Sequence, residues 1–404
     1  MTSDLLWVTT RTAAVLLMGF LCLTAPAMGA DSGHQPARAK TPRLELGTSA
    51  VFSPEGQLVV VAKEGGHVVV RRSDDEGKTW SEPAIVNAQP EAIAADGESR
   101  PRVAFGSKGS LLVSWARPLN KPYTGEIRLA RSADGGRTFA APITVHRDTA
   151  EITHRFESFA VGRDGRVTVA WIDKRDQELA KAEKRPYVGA AIYAAISDDD
   201  GISFKPEFKV ADHSCECCRT TVTHDADGTP MVFWRHVFEP NERDHGIARL
   251  QPDGRVESVQ RVTFDRWRID ACPHHGPSLV VDAEGVRHAV WFNQVGGEGH
   301  VFYGLLPRRA GEQVDGQRVV GGALAAHADL AVSGRRLAIV WKEFDGRKTL
   351  LRADISDDAG RSFRSLELGS AAGASDQPRA LVRGEALFAF WRTEREGMRL
   401  FRLQ

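Results

Sequence analysis

The apolar and polar positions of this chain fall into short alternating or wholly apolar runs, each closed by a turn containing Gly, Asp or Asn. Such runs predict β-strands, and no segment keeps a helical period of useful length. The runs also repeat. An apolar strand ending near a tryptophan recurs as "LLVSWAR" (111–117), "VTVAWID" (167–173), "PMVFWRH" (230–236), "RHAVWFN" (287–293), "LAIVWKE" (337–343) and "ALFAFWR" (386–392). "QLVVVAK" (57–63) is a first copy without the tryptophan. Successive tryptophans lie 56, 63, 57, 50 and 50 residues apart, a period that signals a repeat architecture. A short strand and a Gly turn precede each copy, as in "PRVAFGSKGSLLVSW", and a third strand follows, as in "EIRLARS".

A second motif sits after the third strand: "SDDEGKTW" (73–80), "SADGGRTF" (132–139), "SDDDGISF" (197–204) and "SDDAGRSF" (356–363). All fit Ser-x-Asp-x-Gly-x-[Ser/Thr]-aromatic. Asp and Ser side chains bond nearby backbone N–H groups in such a turn, Gly takes a positive φ, and the aromatic plugs a small local core. The motif resembles the Asp box of the BNR-repeat, sialidase-like β-propellers, and the resemblance covers the chain beyond its N-terminal leader. It implies an all-β fold of four-stranded antiparallel blades with Asp-box turns. It also makes Asp75, Asp134, Asp199 and Asp358 peripheral structural residues rather than catalytic acids. Seven inner-strand copies imply seven blades; sialidases proper have six, so the count stays open between the two. The last copy, 375–404, has about three strands, and "RLELG" (43–47) is expected to supply the missing outer one.

Charge narrows the partners. With 53 basic and 53 acidic residues the formal net charge is +0, which gives no electrostatic footing for nucleic acid or an anionic membrane surface. Residues 1–30 read as a secretory signal: Arg11, the apolar core "AAVLLMGFLCLTAPAM", then the small-residue stretch "APAMGA". The apolar run is shorter than the roughly 18–20 residues a membrane span needs. The expectation is a periplasmic or secreted protein with no membrane span. A flexible lead-in follows at 31–42, then one propeller domain over 43–404. The sequence carries no signal of oligomeric state.

The cysteines change the picture most. Outside the leader, which holds Cys22, the chain has Cys215, Cys217 and Cys218 in "HSCECCRTT" and Cys272 in "ACPHHGPS". Counting back from each tryptophan places Cys215 and Cys272 at minus 19, Cys217 and His274 at minus 17, and Cys218 and His275 at minus 16. The minus-17 position of the two preceding repeats holds Glu98 and His154. In a propeller this stretch leads into the innermost strand at the channel mouth. If it is extended, alternate residues share a face. Cys215 and Cys217 then meet Cys272 and His274 as a four-ligand set for copper or zinc, with Cys218 and His275 as outer or alternative ligands. Two other readings stand beside this one: a disulfide staple between repeats, as exported cysteines are usually oxidised, and thiol redox chemistry.

The family resemblance also implies an enzyme. Sialidases bind a substrate carboxylate with three arginines, and use an Asp acid/base with a Glu-activated Tyr nucleophile. Arg100, Arg102, Arg219 and Arg379 (with Arg155) lie on or near inner strands and are the candidates for an acidic sugar. Three departures count against that activity. The Phe/Tyr-Arg-Ile-Pro motif is absent, none of the four tyrosines (123, 187, 193, 303) lies in the last hundred residues, and cysteines stand where the sialidase pattern assigns none. The charged segment "WIDKRDQELAKAEKRP" reads as a solvated loop or short helix, and "HVFEPNERDH" as a polar hairpin. The leading functional reading is a propeller with a Cys/His metal site at the channel mouth, copper-handling or metal-dependent. The alternatives are an exo-glycosidase acting on acidic sugars, and a non-catalytic binding module with structural disulfides. The ligand in each case is a metal, a small molecule or a glycan at the propeller mouth.

Overall fold

The computed structural model describes residues 44–404 except Cys272 and Ala310. The expected secretory signal, the expected lead-in and the expected ligand Cys272 lie outside the described residues. The expected strands form seven antiparallel sheets in a ring, so the chain is a seven-bladed β-propeller. The inner strands are Thr48–Phe52, Arg102–Phe105, His154–Val161, Thr221–His224, Ser278–Val281, Ala325–Ser333 and Arg379–Arg383. Among the described residues, six blades have four strands and the seventh has three. Among the described residues no helix is long and apolar enough to cross a membrane. The charged insertion of blade 3 folds as a short helix, Arg175–Ala182.

The repeat period is a packing period. Each tryptophan sits on the second strand of its blade, at most 2% exposed, and packs against the blade before it. Trp115 lies among Val59, Val61, Val68 and Val70 of blade 1; Trp391 lies among Val340, Leu351 and Ala353 of blade 6. Blade 1 has no tryptophan on its second strand, and its seam with blade 7 is the closure, against which Trp80 of the first Asp box packs. There Phe52, Leu58 and Val60 meet Leu381, Phe388 and Phe390 of blade 7.

Among the described residues, no strand is added to blade 7 to close the ring. Leu44–Gly47 form no strand, and Gly47 N–H donates to Ala95 carbonyl at 3.0 Å, on the approach to blade 2. The expected fourth strand of blade 7 is therefore corrected: this segment crosses near the channel instead. Gly47 has no room for a Cβ, which would lie 2.8 Å from the Ala95 backbone, so the crossing is too tight for another residue.

The Asp boxes are built as expected. In blade 1 the Ser73 hydroxyl donates to Asp75 (2.8 Å) and accepts from Gly77 N–H (2.7 Å). Asp75 in turn accepts from Thr79 N–H (2.8 Å) and from the Thr79 hydroxyl (2.7 Å). Blades 2, 3 and 6 repeat the arrangement around Asp134, Asp199 and Asp358. The Thr79 N–H and hydroxyl pull the exposed Asp75 carboxyl down to about 2. A carboxylate held this way is a turn-builder and a poor general acid.

Candidate functional site

The structure places the sequence-predicted residues in two separate settings. The first is the seam between blades 3 and 4, which holds the three cysteines. Residues 215–218 form a tight turn rather than the extended segment the register argument assumed. The turn, not alternation, brings Cys218 to the same side as Cys215 and Cys217. Their sulfurs form a nearly equilateral triangle with edges of 3.8, 3.9 and 3.9 Å. All three are free and buried, 1–4% exposed, among Phe156, Ile172, Ile192, Val232 and Trp234. Outside the triangle, Glu216 faces the helical insertion, where it accepts from Lys174 Nζ and from Gln177 Nε2 at 3.0 Å.

The electrostatics of this seam are asymmetric. The S–H groups of Cys217 and Cys218, helped by the Arg235 and Arg243 charges, hold Cys215 well below the ordinary thiol range. The Cys217 and Cys218 thiols are pushed up, Cys217 by its S–H bonds to the other two and Cys218 first by burial. These directions favour a thiolate at Cys215 over one at Cys217 or Cys218. Arg235 is 1% exposed and has no carboxylate partner. It donates to the Asn293 side chain (2.6 Å) and to the carbonyls of Arg243 (3.2 Å), His275 (3.2 Å) and Phe292. The Arg235 Nε is buried without a hydrogen-bond partner, and the Arg235 charge favours the ionised form of Cys215.

His274 and His275 are not in the sulfur cluster; among the described residues the only tight metal-type group is Cys215, Cys217 and Cys218. His274 is exposed with φ +53°. His275 stacks between Phe292 (4.0 Å) and His327 (4.4 Å), and burial drives its imidazole down to about 2, so it is neutral. On the blade 5 approach, His275 thus lies against His327 of blade 6 rather than against the sulfurs.

The second setting is the channel, which holds the arginines. Arg100 grips Asp376 with two bonds of 2.9 Å and also donates to Thr48 carbonyl (2.9 Å) and Gln377 Oε1 (3.0 Å). Arg219 donates to Glu98 through Nη1 (2.9 Å) and its backbone N–H (3.0 Å). Glu98 also accepts from Gly276 N–H (2.9 Å) and Gln377 Nε2 (2.8 Å). Burial opposes the Glu98 charge, but Arg219 and His327 hold its carboxyl well below the usual range. These groups come from blades 2, 4, 5, 6 and 7, so they knit the mouth together and are spent on each other. Arg379 pairs with Asp329 at 3.2 Å.

Arg102 differs. Its Nε and one Nη are buried and form no hydrogen bond. Burial lowers it to about 9, partly offset by the charge of Glu157. Glu157, fully buried, has one oxygen without a partner and accepts only a 3.4 Å bond from Ser114. Burial raises its carboxyl to about 7 against the Arg102 charge. Sequence reasoning missed Glu157; an acidic residue inside the strand "HRFESFAV" was the available signal. A β-bulge opposite Trp171, with Phe156 at φ +60°, sets its direction.

No protein-family model matches the chain, and no curated protein matches it in sequence. Solved structures match in fold. A polysaccharide lyase described as an ulvan lyase superposes with a TM-score of 0.54 at 9% identity, covering 88% of this chain and 91% of its own. A protein of unknown function from Dyadobacter fermentans gives 0.52 at 14%, covering 74% and 90%. A Hadza microbial sialidase gives 0.51 at 16%, covering 84% and 74%. The sialidase-like resemblance drawn from the Asp boxes therefore holds for the fold.

Proposed function

We propose that this chain is an exported metal-binding propeller whose Cys215, Cys217 and Cys218 hold one soft metal ion, Cu(I) or Zn(II). The observation that carries this is the sulfur triangle. A triangle with edges of 3.8–3.9 Å has a centre about 2.2 Å from each corner, close to the thiolate–zinc bond of about 2.3 Å. An ion at or just above that plane meets all three sulfurs with little rearrangement. The apolar wall favours an ion of low charge, and the Arg235 cation offsets surplus thiolate charge; both features favour Cu(I). Metal binding releases the Cys217 and Cys218 protons to solvent.

The test is metal content of protein prepared without chelator or reductant, followed by anaerobic titration with Cu(I) and with Zn(II). The expected result is one ion per chain, lost in Cys217→Ser and Cys218→Ser. Binding that survives both substitutions, or no binding of either ion, overturns the reading.

A second reading, a propeller acting on acidic saccharides, is supported by fold similarity to a protein named a sialidase and another named an ulvan lyase. Arg100 and Arg219 are buried in their ion pairs, whereas Arg102 and the Asp329-paired Arg379 line a channel cavity, so this reading rests on those two. Turnover of a fluorogenic sialoside, lost on Arg379→Ala, is its test.

A further inference from the structure

The sulfur triangle carries a second chemistry that needs no metal. Glu216 and Cys217 are the central residues of a turn whose corners are Cys215 and Cys218. The corners of such a turn have Cα atoms less than about 7 Å apart, and disulfides span Cα separations of about 4.4–6.8 Å. The two corner sulfurs already lie 3.9 Å apart. The other two pairs fit less well. Cys217 and Cys218 are joined by a trans peptide, which holds their Cα atoms about 3.8 Å apart, too close for an unstrained bridge. A Cys215–Cys217 bridge closes a smaller ring around two planar peptide units, and strain makes a disulfide easier to reduce. Cys217 itself lies 3.8 Å from the Cys215 sulfur and 3.9 Å from that of Cys218. It is placed to attack a strained bridge and shift it to the corner pair.

Burial selects the oxidant. Cys215, Cys217 and Cys218 are 1%, 4% and 2% exposed. A protein disulfide has no approach to them, whereas hydrogen peroxide is little larger than water. We infer that the turn is an oxidation site for peroxide, closing a reversible Cys215–Cys218 disulfide with Cys217 as the remaining thiol. One corner thiol attacks a peroxide oxygen; the O–O bond breaks, a sulfenic acid forms and one water leaves. The other corner thiol attacks that sulfur, the S–S bond forms, and the hydroxyl departs with the thiol proton as a second water. The sulfurs give up two electrons and the peroxide becomes two waters. The bridge also removes two of the three donors that would enclose an ion. Oxidation thus empties the site and reduction restores it. This switching role rests on the metal reading; the disulfide itself does not.

Lys209 and Arg219 flank the three cysteines, so trypsin releases all of them in one peptide, 210–219. Metal-free full-length protein is treated with hydrogen peroxide, alkylated, digested and read by mass spectrometry. The expected peptide is lighter by two hydrogens and carries one alkyl group, on Cys217; a dithiol reductant returns all three thiols. Cys217→Ser is expected to form the same bridge. Cys218→Ser is expected to give at least about tenfold less bridged peptide, since only the strained pair remains. Protein unfolded in urea is expected to lose the preference for the corner pair. No bridge, a bridge that takes in Cys217 or Cys272, or oxidation of the native turn to sulfinic acid instead overturns the inference. Titration of the oxidised chain with Zn(II) tests the switch: binding is expected to be lost, and retained binding overturns that role. If the reduced chain binds neither Cu(I) nor Zn(II), the metal reading fails, and the peptide mass still decides whether the disulfide forms.

Discussion

Single residues here carry charges that only their surroundings explain. Arg102 on the inner strand of blade 2 and Arg219 on the approach to blade 4 belong to the same channel, yet Glu98 pairs with Arg219, whereas among the described residues two nitrogens of Arg102 have no acceptor. The histidines show the same dependence. Burial lowers His275 to about 2 and His146, His236 and His327 to about 4, so all four are neutral in the fold. In the unfolded chain they titrate near about 6.5. Between those values the unfolded state holds more protons, so their contribution is fully present above about pH 6.5 and falls away toward pH 4. Glu157 acts in the opposite sense, because its raised carboxyl favours the fold below about pH 7. Four histidines outweigh one carboxyl, so the thermal midpoint is expected to fall on acidification from pH 7 to pH 5. A midpoint that rises over that range, measured by calorimetry, would show that Glu157 dominates.

At the scale of elements, the Asp-box turn is the unit the sequence specifies best. Its serine, aspartate and glycine act within a few residues of one another, so no tertiary information is needed to recognise it. Gly360 illustrates how tightly the turn then docks. Its φ is +80°, and a Cβ would lie 2.0 Å from the Tyr303 hydroxyl of blade 5. Gly360→Ala is therefore expected to cost about 1–3 kcal/mol from backbone strain alone, before the clash is relieved. Chemical denaturation reads this directly, and an unchanged midpoint would mean the turn is not tied to its neighbour. The cysteine turn shows the opposite case. Its residue types were legible, but whether three sulfurs converge depends on a turn at 215–218 that the helical insertion holds through Glu216.

For the whole molecule, the closure of the ring is the point of greatest leverage. Blades 1 and 7 meet through an apolar seam and through Asp376, which accepts from Arg100 of the blade 2 approach and from Thr48 N–H (2.9 Å). Arg100→Ala leaves a buried carboxylate without its cation, a change worth about 3–5 kcal/mol. The double substitution Arg100→Met with Asp376→Leu is expected to recover part of that loss. If Arg100→Ala unfolds at the native denaturant concentration, closure rests on the apolar seam alone.

The repeat period, the Asp boxes and the seven inner strands were all written locally, and they determined that the chain is a propeller. Position within the repeat was legible too, since Cys217, His274, Glu98 and His154 share one register. What that register left undecided was direction. Adjacent blades present equivalent positions to different neighbours, and bulges such as the one at Phe156 re-aim single side chains. So the fold alone turned His275 against Phe292, engaged Arg100 and Arg219 with buried carboxylates, and left Arg102 beside Glu157. Those outcomes depend on charges and walls that the fold brings together, from 17 residues apart for His275 and Phe292 to 276 for Arg100 and Asp376, and local sequence has no means of stating them.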